Sequence, residues 1–94
     1  MSRKFINKHL IAFWISFPED EYYPIGLGVT AFSIEDAYSL LEELGITAHK
    51  TAKQIEIEEN IKWDELPHSQ HVHRNMGPIV VRGVWFPNFN SGYI

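Results

Sequence analysis

A chain of 94 residues with no cysteine, 12 acidic against 8 basic side chains and a formal charge of −4 fits one small domain and hardly two. The missing cysteine excludes disulfides, Cys-based zinc sites and thiol catalysis. The charge argues against general nucleic-acid binding, which rests on Lys and Arg neutralising phosphates. Hydrophobic residues make up 45% and aromatic residues 14%, unlike the composition of disordered segments.

The longest apolar run near the N-terminus, Leu10 to Ile15, is too short for a signal peptide, and nothing approaches the ~20 apolar residues of a membrane span. The expectation is a cytoplasmic protein without membrane association. From Lys8 to Phe17, Ile11, Phe13, Ile15 and Phe17 alternate with Leu10, Ala12, Trp14 and Ser16. That period of two, rich in β-branched and aromatic residues, predicts a strand with one wholly apolar face and one mixed face. Pro18 and Pro24 then bracket an acidic, aromatic loop holding Glu19, Asp20, Glu21, Tyr22 and Tyr23, and proline ends strands.

Ile25 to Phe32 predicts a second strand, with Ile25, Leu27, Val29 and Ala31 on one face and Gly26, Gly28, Thr30 and Phe32 on the other. Symmetric closure of the hairpin sets Trp14 opposite Gly28 and Ser16 opposite Gly26. A one-residue slip would destroy the match of apolar faces, so the pattern selects this register. The glycines leave a groove in which an indole could cross the strand. Ser33 is a good N-cap, Asp36 sits at the capping-box position and Gly45 suits the left-handed position after a helix. Between them Ile34, Ala37, Tyr38, Leu41 and Leu44 recur at helical spacing.

Thr47 to Lys53 reads as loop or irregular strand. Gln54 to Glu59 alternates Ile55 and Ile57 with Glu56 and Glu58 and predicts a third strand, with a helix as the alternative. Ile61 to Gly77 reads as loop with at most a short helical turn. Pro78 to Phe86 predicts the last strand, stopped by Pro87, and residues 87–94 read as a loosely held tail. The expected fold is α+β in ββαββ order: two hairpins joined by one helix, giving a mostly antiparallel four-stranded sheet with the helix on one face. The other face would be open or shared with another subunit.

Two constellations could carry function. His68, His71 and His73 lie close together downstream of Asp64, and imidazole and carboxylate are ordinary zinc ligands. No HExxH or other ligand spacing accompanies them, and a polar surface loop rich in histidine is the commoner origin of such a stretch. The second constellation is aromatic: Trp14, Tyr22, Tyr23, Trp63, Trp85 and Phe86 are many large rings for so small a domain, and Arg82 lies close to Trp85. Tyr, Trp and Arg are the usual anchors of protein interfaces. Arg82 could instead pair with Glu56 or Glu58 across neighbouring strands. Gly26-Leu27-Gly28 lacks the third glycine of a dinucleotide fingerprint, and no serine sits in G-x-S-x-G.

The reading these residues favour is a non-enzymatic module needing no cofactor. It would bind a protein partner, or itself as a homodimer, through an aromatic sheet face and loops built on Trp14, Tyr22, Tyr23, Arg82 and Trp85. An inhibitor or immunity-type protein masking a basic partner fits the size and charge. The alternative is a small metal-dependent enzyme or ligand-binding protein using Asp64, His68, His71 and His73. Nucleic acid is the least suited partner.

Overall fold

The alternating segments become two central antiparallel strands, β1 (Ile11–Ser16) and β2 (Leu27–Ala31), in the register the faces demand: Phe13 opposite Val29, Trp14 opposite Gly28, Ile15 opposite Leu27. The computed structural model describes residues 10–19 and 25–88. Tyr22 and Tyr23, together with most of the tail, lie outside the described residues.

Helix α1 (Ile34–Glu43) starts where its cap predicts. Ser33 Oγ accepts from the Asp36 N–H at 3.1 Å. The Asp36 carboxylate accepts the N–H of Phe32 at 3.0 Å, one residue earlier than a regular capping box. The helix ends in a Schellman turn: the Ile46 N–H donates to the Leu41 carbonyl and the Gly45 N–H to that of Glu42, with Gly45 at φ +80°. Ala37 and Leu41 from this helix bury against Phe13, Ile15, Leu27 and Val29 from the sheet. Each large side chain removed from water there contributes about 1.5–3 kcal/mol before entropy costs. The segment after Gly45 forms a short helix, α2 (Ala48–Thr51), rather than loop or strand. It is tied to α1 by the His49 ring stacked on Tyr38 at 4.4 Å and bonded to Glu42 at 2.9 Å.

The sheet order is β3-β1-β2-β4, all antiparallel, with β3 at Glu56–Glu59 and β4 at Gly83–Phe86. The fold is therefore α+β with a four-stranded antiparallel sheet, as expected, but the two outer strands are not a hairpin. They lie at opposite edges, three strand spacings or roughly 14 Å apart. The last strand is also shorter than the apolar run from Pro78 suggests, because residues 78–82 belong to the connection.

That crossing changes the second face. From Asn60 the chain runs beneath the sheet through a 3₁₀ turn (Trp63–Glu65) and helix α3 (Ser69–Arg74) before reaching the far edge. Ile61, Leu66 and Val72 from it bury against Trp14, Trp85 and Phe86. The face expected to be open or shared with a subunit carries a second core of the chain's own making. Among the described residues no helix is long and apolar enough to cross a membrane.

Candidate binding groove

Trp14 and Trp85, expected on a binding face, are each 2% exposed. A bulge in β4 explains how both find cover. Val84 faces Val29 and Phe86 faces Gly28, so Trp85 has no opposite residue and swings onto the same side as Phe86. Its indole covers Gly28: a Cβ there would fall about 2.6 Å from Trp85 Cε3. Trp14 covers the neighbouring glycine in the same way, with Nε1 2.8 Å from where a Cβ on Gly26 would stand. Trp14 also stacks on Phe86 at 5.5 Å. Trp85 Nε1–H donates to Thr30 Oγ1 at 3.0 Å, and that hydroxyl donates to the Ile79 carbonyl at 2.6 Å. Thr30, itself 2% exposed, so satisfies the indole and pins the crossing segment to the sheet. These tryptophans build the interior and offer no surface.

The crossing segment leaves one end of this face uncovered. Beyond Thr30 and Ala12 a groove of about 800 Å³ opens between two walls. One wall is Trp63 with Lys62; the other is Phe32, Val80, Val81 and Arg82. Trp63 is 54% exposed, Phe32 42%, Val80 78% and Val81 54%. Four large apolar side chains held in water around one depression are unlike the scattered apolar surface of an ordinary monomer.

Three of the wall residues are fixed in place. Trp63 stacks on His73, with ring centroids 3.8 Å apart and planes 2° from parallel, and His73 Nε2–H donates to the Trp63 carbonyl at 2.8 Å. Arg82 Nε donates to Asp36 Oδ2 at 2.9 Å and its Nη2 to Oδ1, a bidentate pair. The guanidinium in turn lies 5.8 Å from the Phe32 ring centroid. The Arg82 hydrogen bonds hold the Asp36 carboxyl below its usual range against the opposing effect of burial, helped by the Phe32 N–H.

The partner of Arg82 is therefore Asp36 at the start of α1. Glu56 and Glu58, the partners expected from neighbouring outer strands, sit on β3 at the far edge. Of the histidines, His73 belongs to the Trp63 stack and His71 meets the edge of Phe86 at 6.0 Å. His68 precedes α3 in a left-handed conformation at φ +51°. Among the described residues no three His, Asp or Glu side chains are grouped to hold a metal ion, Asp64, His68, His71 and His73 included.

Of the expected site residues the groove retains Arg82; Trp63 joins it from the wider aromatic set, while Phe32, Lys62, Val80 and Val81 enter only with the structure. Trp63 had a signal, a large ring among polar neighbours in a segment without apolar period. Val80 and Val81 had none, because their alternation with Ile79 imitates a strand. Compared with known protein families, curated proteins and solved structures, the chain matches none, so the groove is read from its own geometry.

Proposed function

We propose that the protein is a non-enzymatic interaction module that seats a segment of a partner protein in the groove between Trp63 and the Phe32–Val80–Val81 wall. The observation that carries this reading is an exposed tryptophan held rigid by its own stack on His73. An aromatic anchor already ordered before binding loses little side-chain entropy when a partner covers it, which is the property of interface hot spots. The shape of the groove, open and lined by apolar side chains from four separate stretches of chain, suits an extended segment.

Edge-to-edge pairing of two copies through β3 is disfavoured. Glu56, Glu58 and Glu59 are exposed along that strand, and an antiparallel copy would bring like charges together.

A photo-crosslinking amino acid placed at Val80, in the cells that make the protein, tests the reading. Lys53, exposed and outside the groove lining, is the control position. The expected result is one recurrent adduct from position 80 that is absent from position 53 and lost in the Trp63→Ala background. Identical adducts from both positions, or none from position 80, would refute it.

A further inference from the structure

Every charged side chain lining the groove is basic, on a chain whose net charge is −4. Lys62 stands on one wall beside Trp63 and Arg82 on the other beside Phe32, and among the described residues no carboxylate lines the groove. Asp36 engages Nε and Nη2 of Arg82 from the α1 side, which leaves the rest of the guanidinium fork for an acceptor in the groove. The Arg82 side chain remains 43% exposed. One face of the Trp63 ring is taken by His73 and the ring itself lines the groove.

Resting on the interaction reading above, we infer that the partner segment is acidic and aromatic: carboxylates set toward Lys62 and Arg82, with a planar side chain on the groove side of Trp63. The chemistry follows from complementarity. Carboxylates docked against these two cations gain charge-assisted hydrogen bonds that a neutral segment cannot make. An aromatic ring on Trp63 extends an existing stack without ordering a new side chain. A basic segment, by contrast, would meet the ammonium of Lys62 and an Arg82 whose one carboxylate partner, Asp36, is already engaged. The basic partner that the overall charge suggests is thus the wrong one for this surface.

Selection of random displayed peptides on the purified full-length chain tests the inference. Recovered peptides are then measured against the wild type, Trp63→Ala, Val80→Glu and Lys62→Glu. Lys62 is exposed, so reversing its charge leaves the core untouched. The expected result is enrichment of peptides combining Asp or Glu with Phe, Tyr or Trp. Their affinity should fall roughly tenfold in Lys62→Glu and decline with added salt. Neutral or basic peptides that still need Trp63 and Val80 would overturn the inference and leave the interaction reading standing. Failure to recover any peptide dependent on those two residues would overturn both. Self-association of the purified chain that Val80→Glu abolishes would make a second copy the occupant and also overturn it.

Discussion

Replacing Gly28 by alanine should cost far more than a strand substitution normally does, and only because of Trp85. Gly28 has an ordinary strand conformation, so a Cβ meets no backbone strain, and alanine at such a site usually stabilises by about 0.4–1 kcal/mol. Here that Cβ would enter the indole, with Trp85 Cε3 at 2.6 Å, and the ring is walled in by Trp14 and Phe86. Overpacking of this kind costs about 1–3 kcal/mol. Displacing the ring also strains or breaks its bond to Thr30, another ~0.5–1.5 kcal/mol. The sum is about 1.5–4.5 kcal/mol, or about 1–4 kcal/mol after the backbone gain, and corresponds to a fall in Tm of roughly 4–30 °C for a domain of this size. Urea denaturation of Gly28→Ala, Trp85→Leu and the double variant measures it. In the Trp85→Leu background Gly28→Ala should be neutral or mildly stabilising, a coupling that no local account of glycine predicts. A cost below about 0.5 kcal/mol in the wild-type background, or the same cost in both, would refute the proposed packing.

Thr30→Val removes the acceptor of the Trp85 indole and the donor to the Ile79 carbonyl together, and should destabilise by about 1–3 kcal/mol in urea, while Thr30→Ser keeps most of the stability. Asp36→Asn should act through pH. The folded-state pKa of Asp36 lies below its ordinary value, so its contribution is fully present above that ordinary value and is lost as pH falls through the folded one. Wild type should therefore exceed Asp36→Asn by a constant margin from pH 5 to pH 8 and converge with it below about pH 4. A margin unchanged at pH 3 would show that the loss is steric rather than ionic.

How far the sequence disclosed these features depended on the range of the interaction. The β1–β2 register was legible because two adjacent segments carried matching apolar faces, and a slip would have turned Trp14 from Gly28 to a residue of the other face. The caps of α1 were legible because Ser33, Asp36 and Gly45 act on their immediate neighbours. The placement of β4 was not. Nothing in Gly83–Phe86 says which edge it joins, and the bulge that turns Trp85 is a consequence of that choice. The indole expected across a strand glycine exists, but Trp85 covers Gly28 and Trp14 covers Gly26.

The site was less legible than the fold for the same reason. The aromatic residues that sequence singles out, Trp14 and Trp85, are conspicuous because a core needs large rings. The residues left at the surface are those the crossing segment fails to cover, and that depends on where residues 60–82 run. Arg82 was visible as an anomaly among valines; its partner Asp36, 46 residues away, was not. His73 could be noticed as part of a histidine cluster, yet its observed contact is a ring stack and a hydrogen bond to Trp63.

The proposed function requires that a partner cover the groove. The direct measurement is the hydrodynamic size of the protein in fresh, dilute extract of its own cells, compared between wild type and Val80→Glu. Val80 is 78% exposed, so the substitution should leave stability within about the ±0.5 kcal/mol typical of surface changes. Wild type should migrate well above the size of the isolated chain, and Val80→Glu should return to it. Equal sizes for the two proteins, whether both free or both bound, would contradict the proposed function.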